Sequence, residues 1–345
     1  MIKLDGNEGE GGGQILRTAL ALSCITKKPF DIVNIRKNRP DPGLKAQHLN
    51  CIKTLQQLYS CKVEDSFLGS EKLRFIPGEL KKRKIEIDIG TAGSITLLLQ
   101  CVVLPCVLEK KSIKIKIIGG TDVKWSMQWD YYNEVVLSQY RRFADIETRL
   151  IRRGYYPKGN GEIEIKIVPK ENKEKIDLSK RGSLIYIKGI SHASKDLGDV
   201  AERQASAAEQ SLSQLNCPIR IDTRYYNSKS IGSGISLWVT FSLNEEDIDM
   251  VRPIRLGSDA LGEKGKSSEE VGEEAGKKLV DEINSGAIVD NHLCDNILPL
   301  LGLFGGEIKT SKITKHTLSN IYVCENFLGK IFQVEENVIK VQQSR

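Results

Sequence analysis

EGEGGGQILR, residues 8–17, places three consecutive glycines between two carboxylates and the start of an apolar helical pattern. Ile15, Leu16, Ala19, Leu20 and Leu22 recur at helical spacing, so a helix begins where the glycines end. Gly11, Gly12 and Gly13 permit positive φ and close backbone approach. Their free amides at a helix N-terminus would face an anion, helped by the helix dipole. Glu10 offers a hard oxygen ligand to a cation such as Mg2+, while Gln14 and Arg17 lie three apart and share a helix face. Read alone, the stretch is more often a glycine turn beside a solvated arginine.

The junction has a counterpart in Gly90-Thr91-Ala92-Gly93-Ser94, which also opens an apolar helical run. Helical stretches at about 13–26, 43–60, 93–108, 128–143, 268–284 and 290–303 fall as three successive pairs. Strand-like runs at 30–35, 73–76, 85–89, 113–118 and 162–168 interleave with them. This pattern predicts an α/β (α+β) chain built from three copies of one two-helix, one-sheet unit. Past Val168 the pattern changes. A charged linker at 169–181 leads to a strand at 184–190, a polar helix at about 199–214 and strands near 220–226 and 235–243. Residues 184–275 therefore read as a small inserted domain, with 1–183 and 276–345 forming the main domain. Ser267 to Glu270 read as a capping box that restarts the main domain.

With 345 residues and 40% hydrophobic content, the chain can bury a sizeable core. No secretory pattern opens it, and the longest apolar run, 96–108, is broken by Gln100 and Pro105 and is too short to span a bilayer. A soluble, cytoplasmic protein with no membrane role is expected. Eight cysteines are scattered without a C-x-x-C pair, as expected of buried reduced thiols. The net charge of +6 is mild, but cations cluster at 36–53 and 81–84, which suits a phosphate-rich partner. Gly265-Lys266-Ser267 imitates the end of a P-loop, yet Ala260 stands where that motif requires glycine.

Four histidines remain for chemistry. His48 lies just inside a helix introduced by Pro42-Gly43, beside Gln47 and downstream of Arg36 and Arg39, a group with the make-up of a phosphate clamp. His292 and Asp295 share a helix face, with Asn296 one step on, and such a face can meet a purine, its ribose or a metal. His316 precedes an apolar, strand-like segment and reads as structural on its own. His192, at a strand end with no acidic or glycine context, reads as a surface residue.

Seven stretches together resemble the RNA 3'-terminal phosphate cyclases. They are EGEGGGQILR at 8–17, IRKNRPDPGLKAQHL at 35–49, GTAGSITLLLQ at 90–100, GGTDV at 119–123, RRGYYPKGNGE at 152–162, VDNHLCDNILP at 289–299 and KHTLSNIYVCENFLG at 315–329. They follow the family's order across nearly the whole chain. The resemblance implies three repeats of a two-helix, four-stranded-sheet unit, as in the enolpyruvyl transferases, plus a small inserted α/β domain. It implies that ATP and an RNA 3'-phosphate give a 2',3'-cyclic phosphate, AMP and pyrophosphate, with Mg2+ or Mn2+ held by Glu10. It also implies that His316 is the nucleophile, through a covalent histidyl adenylate. By the same resemblance Glu10, Gln14, Gln100, His292, Asp295 and Asn296 bind ATP, and Arg17, Arg36, Arg39, Gln47 and His48 engage phosphates of ATP or RNA.

Two departures stand out. Asn296 replaces a glutamine usual in the family's helix motif, and His292 stands where several relatives have tyrosine. The adenine-packing proline expected after GGTDV is missing from Lys124-Trp125-Ser126-Met127-Gln128-Trp129, which leaves Trp125, Met127 or Trp129 to substitute. The family's non-catalytic branch, which acts in ribosome biogenesis, lacks the nucleophilic histidine, so His316 with Glu10 argues against it. No phosphoenolpyruvate signature supports an enolpyruvyl transferase. RNA with a 3'-phosphate end and ATP are the expected partners, and a homodimer is left open.

Overall fold

In the computed structural model, which describes residues 1–171, 173–244, 248–249 and 251–341, β1 (Ile2–Asp5) runs into the glycine junction and α1 (Gly13–Thr26) leaves it. The first unit continues through β2 (Phe30–Val33), α2 (Ala46–Leu58), β3 (Lys62–Glu64) and β4 (Leu73–Ile76). Its sheet has the order β1-β2-β4-β3, with the first two strands parallel and the remaining pairs antiparallel. The second unit repeats the plan with β5 (Lys84–Asp88), α3 (Ile95–Val107), β6 (Ile113–Gly119), β7 (Ala144–Arg152) and β8 (Gly161–Pro169), ordered β5-β6-β8-β7. Its second helix, expected as one piece over 128–143, is broken into α4 (Trp129–Tyr131), a π turn over Tyr132–Val136 and α5 (Leu137–Tyr140).

The third unit starts with β9 (Ile176–Leu178), inside the stretch expected as a charged linker. A three-residue strand leaves almost no periodicity to read, and its partner lies some 130 positions downstream. The insertion follows, with β10 (Ser183–Ser194), α6 (Val200–Leu212), β11 (Ile219–Tyr226), β12 (Ser233–Ser242), β13 (Ile254–Leu261) and α7 (Ser268–Asn284). The unit then resumes with α8 (Asn291–Phe304), β14 (Gly306–Lys309), α9 (Lys315–Leu328), β15 (Phe332–Glu335) and β16 (Val338–Val341). Its sheet, β15-β16-β14-β9, has the order and directions of the other two. The fold is therefore the α/β fold of three repeated units plus a small inserted α/β domain. In the third unit the insertion occupies the place after the first strand that the glycine junctions occupy in the other two.

Two helix assignments change. The helix at 268–284 was expected to open the third pair, but α7 lies along α6 and against β13, so the third pair is α8 with α9. The capping box at Ser267 and Glu270 is present, but it starts a helix of the insertion. On this packing we propose that the inserted unit extends over 183–284. The expected strand after His316 is α9. Ile321, Tyr322 and Val323 favour strands locally, but Thr317, Asn320, Ile321, Cys324 and Phe327 are buried at helical spacing, Thr314 caps the start and Gly329 ends it at φ 96°.

Helices line the interior and the sheets flank them. Along β5 to β8 inward apolar residues alternate with exposed charges, as one-sided sheets require. α1 is buried almost all round because α2, α3 and α9 surround it, so its N-terminus is held from several sides. The inserted sheet, ordered β11-β10-β12-β13, packs α6 and α7 on one face and the broken helix of the second unit on the other. Every residue of β12 is buried as a result. The eight cysteines are all free, six of them buried. No described helix is long and apolar enough to cross a membrane.

Candidate active site

Four segments meet at the glycine junction. β1 delivers Glu10 to Gly13, α2 carries Gln47 and His48 in its first turn, α3 contributes Gln100, and α9 carries His316 in its first turn. Glu10 and His316, from opposite ends of the chain, are in contact: His316 Nε2 lies 2.9 Å from Glu10 Oε2. Arg39 Nη2 donates to Glu10 Oε1 at 2.7 Å and to the Glu10 carbonyl at 3.3 Å, so the carboxylate bridges an arginine and the histidine. Ser319, one turn along α9, accepts the Glu10 N–H at 3.4 Å and ties the helix to the loop.

The junction is an anion-binding arrangement in its own right. α1 has Gly12 as its N-cap with no side-chain cap, so its first amides are not satisfied by a local side chain. The N-terminal turns of α2 and α9 reach it from two sides: a Cβ built on Gly12 would lie 3.6 Å from His316 Cε1, and one on Gly13 would overlap His48. Gln14 lies in the first turn of α1. Arg17, one turn further, donates from Nε to Gln100 Oε1 at 3.0 Å. Gln47 donates to the Ser94 carbonyl at 3.0 Å, linking the first glycine junction to the second. Arg36 stands at the rim at φ 56°, donating to the Asp41 carbonyl at 3.3 Å.

Electrostatics sort the histidines. His48 is buried and accepts the Lys45 N–H at Nδ1, 3.0 Å away. Burial, then Arg17, Arg36 and Lys45, lower its pKa to about 3, so it is neutral. His316 is half-exposed. Its pKa is lowered chiefly by burial, with Arg17, Arg39 and His292 acting in the same direction and Glu10 opposing them. It is therefore largely unprotonated at neutral pH, the state in which an imidazole nitrogen can attack. Asp295 has its pKa raised to about 7, mainly by burial, while accepting from Thr317 Oγ1 at 2.9 Å.

On α8, Asn296 donates to the His292 carbonyl at 2.7 Å, and its Nδ2 lies 3.6 Å from Met127 Sδ. His292 is exposed and meets Tyr131 edge-on, with centroids 6.2 Å apart. Of the three residues expected to replace the missing proline, Trp125 is 95% exposed, Trp129 is buried, and Met127 reaches Asn296. His192 is not a surface residue. It is fully buried on β10, 2.8 Å from Tyr155 Oη and 2.9 Å from Gln128 Oε1, because the second unit packs over this strand of the insertion. The cationic stretch at 81–84 is also remote from the site. Lys81 bonds to Leu58 at the far end of α2, about 15 Å from His48 at 1.5 Å per residue.

Sequence reasoning missed the residues that lock the segments together. Thr18 Oγ1 donates to Asn320 Oδ1 at 2.7 Å, Asn320 Nδ2 donates to the Asp295 carbonyl at 2.8 Å, and Thr317 holds Asp295. α1, α8 and α9 are thus joined by hydrogen bonds beginning at the residue next to His316. Thr317, Ser319 and Asn320 are polar residues on the buried face of a helix, and that pattern is the signal that partners exist.

The family model for RNA 3'-terminal phosphate cyclase matches residues 8–334. A protein of Pyrococcus furiosus with that name is 45% identical over 339 residues, covering 98% of this chain and 96% of its own. Relatives of the same name from Archaeoglobus fulgidus and Saccharolobus solfataricus are 41% and 44% identical. They cover 99% and 95% of this chain, and 100% and 94% of their own length.

Proposed function

We propose that this chain, which belongs to the RNA 3'-terminal phosphate cyclase family, converts an RNA 3'-terminal phosphate into a 2',3'-cyclic phosphodiester in an ATP-dependent reaction. The observation that carries the reading is the contact of a largely neutral His316 with Glu10 at the uncapped start of α1.

In the first step a ring nitrogen of His316 attacks the α-phosphorus of ATP. An N–P bond forms, the bridging P–O bond breaks, and pyrophosphate leaves. With the Nε2 proton accepted by Glu10 Oε2, the neutral ring keeps a lone pair on Nδ1 for the attack, and once the N–P bond has made the ring cationic that proton can pass to the carboxylate. The glycine amides, Gln14 and Arg17 stabilise the triphosphate charge as it moves onto the leaving group. Asp295, Asn296 and His292 take the adenosine side, with Met127 as an apolar wall, and Gln100 orients Arg17.

A divalent cation such as Mg2+ or Mn2+ fits this donor set. The described residues form no cluster of three or more metal-ligating side chains, and a cation bound mainly through phosphate oxygens needs only one or two carboxylates, here Glu10. When bound it would supply charge neutralisation on the departing pyrophosphate. In the second step an oxygen of the RNA 3'-phosphate, held by Arg36, Arg39, Gln47 and His48, attacks the adenylate phosphorus and releases His316. In the third, the adjacent 2'-hydroxyl attacks the 3'-phosphorus and AMP departs. That step needs chiefly orientation, since nucleophile and electrophile share one ribose.

Incubation with α-labelled ATP and Mg2+ or Mn2+ should label the protein through an acid-labile, alkali-stable bond, and 3'-phosphorylated RNA should discharge it. His316→Ala should abolish labelling; full labelling of that variant would remove His316 from the mechanism.

A further inference from the structure

Beyond the active site, a second cleft opens between the hairpin of β7 and β8 and the inserted domain. We infer that it binds a backbone phosphate of single-stranded RNA, upstream of the end that reacts at His316; this rests on the cyclase reading above. The cleft has a volume of about 300 Å3, at the small end of ligand-sized sites. Arg152, Lys195 and Lys229 supply its cations, against one carboxylate, Asp196. Lys195 and Lys229 are exposed and form no ion pair among the described residues. Arg152 is held in place by the Asn160 carbonyl at 2.6 Å and Glu162 at 3.2 Å. Two free lysines flanking a fixed guanidinium form a polyanion subsite.

Aromatic rings accompany the cations. The Tyr226 ring lines the cleft with Arg153 stacked on it at 4.9 Å, and Tyr156, 76% exposed, stands on the turn of the same hairpin. Such rings stack bases without reading sequence, as single-strand binding requires. The hairpin is tied to the insertion by the Lys158 N–H, which donates to Ser230 Oγ at 3.0 Å.

A chain of residue contacts links His316 to this cleft. His316 adjoins Gly12, and His48 adjoins Gly13. The neighbouring Gln47 bonds to Ser94 and lies against Gly93. The Thr91–Ala92 backbone then packs against Gly159 of the hairpin, so closely that a Cβ there would lie 2.7 Å from Ala92 Cα. Arg39, Arg17 and Gln47 stand along these contacts.

The test compares the wild-type protein with Lys195→Ala/Lys229→Ala, using 3'-phosphorylated oligoribonucleotides from a dinucleotide upward. In the wild type, KM should fall once the strand is long enough to reach the cleft. In the variant this gain should vanish, and the slope of log KM against log salt for long strands should become shallower by about 0.7, the value for one phosphate contact on a single strand. Self-adenylation, kcat and the dinucleotide KM should be unchanged; a raised dinucleotide KM would overturn the inference by placing the lysines at the reacting end. Anisotropy binding of a 3'-hydroxyl strand separates the two readings. Lysine-dependent binding without cyclisation would sink the cyclase reading alone. Cyclisation with the same length dependence and binding in both proteins would sink the cleft.

Discussion

Gly13→Ala is a one-carbon perturbation whose outcome follows from the packing of the junction. The added Cβ would stand 2.1 Å from His48 Nε2, 3.1 Å from its Cε1 and 3.2 Å from Arg17 Nη1, where ordinary contact begins at 3.4 Å. The ring would have to retreat by 3.4 − 2.1 = 1.3 Å. It has little room to do so, because His48 is buried and its Nδ1 accepts the Lys45 N–H at 3.0 Å. Alanine improves helix propensity over glycine by at most about 1 kcal/mol. Overpacking costs about 1–3 kcal/mol, and a strained or lost hydrogen bond about 1 kcal/mol more. We expect net destabilisation of roughly 1–3 kcal/mol in denaturant unfolding. Self-adenylation should fall by up to about 100-fold, as for a catalytic group misplaced by about 1 Å. Gly12→Ala, whose Cβ would sit 3.6 Å from its neighbours, should leave stability unchanged. Adding His48→Ala to Gly13→Ala should remove the steric part of the penalty. Wild-type stability and labelling in Gly13→Ala would refute the reasoning.

Two further predictions concern the seam between the second unit and the insertion. His192 is buried and neutral, with its pKa lowered to about 3 chiefly by burial. Between that value and 6.5 the unfolded chain binds a proton that the folded chain does not, so lowering the pH favours unfolding. A His192→Gln variant escapes this linkage. Its stability deficit relative to wild type should shrink by roughly 2 kcal/mol between pH 6.5 and pH 5, at about 1.4 kcal/mol per unit. A deficit independent of pH would show that the ring is protonated or exposed. Arg153 is fully buried, with Nη1 2.9 Å from Asp122 Oδ2 and Nη2 on Asp130. Asp122→Asn leaves that guanidinium undercompensated and should cost about 3–5 kcal/mol in chemical denaturation; a loss below about 1 kcal/mol would mean that Asp130 alone suffices.

Most elements of the first two units were legible because their patterns are local, although the strands β1, β3 and β7 were not read. The helix read over 13–26 is α1 at Gly13–Thr26, and the strand read over 73–76 is β4, since alternation and helical spacing need no knowledge of partners. Where local preference and long-range pairing disagreed, pairing won. The β-branched run at 321–323 became part of α9, β9 found its partner across the whole insertion, and the helix at 268–284 joined α6. The roles expected of the three glycines also divided. Gly11 has a positive φ of 61°, whereas Gly12 is extended at φ −87° and Gly13 is needed for the approach of His48.

By itself the sequence determined the repeated units, the glycine junction and the set of side chains able to handle a polyphosphate, because residue type and spacing carry that information. Only the tertiary structure decided that Glu10, Arg39 and His316 share one contact, that His192 lies inside the molecule, and that the cations at 81–84 stand a helix length from the site. The physical reason is that these facts depend on which helix N-termini converge and which faces cover one another. Packing energy settles both across hundreds of residues, beyond the reach of any local pattern.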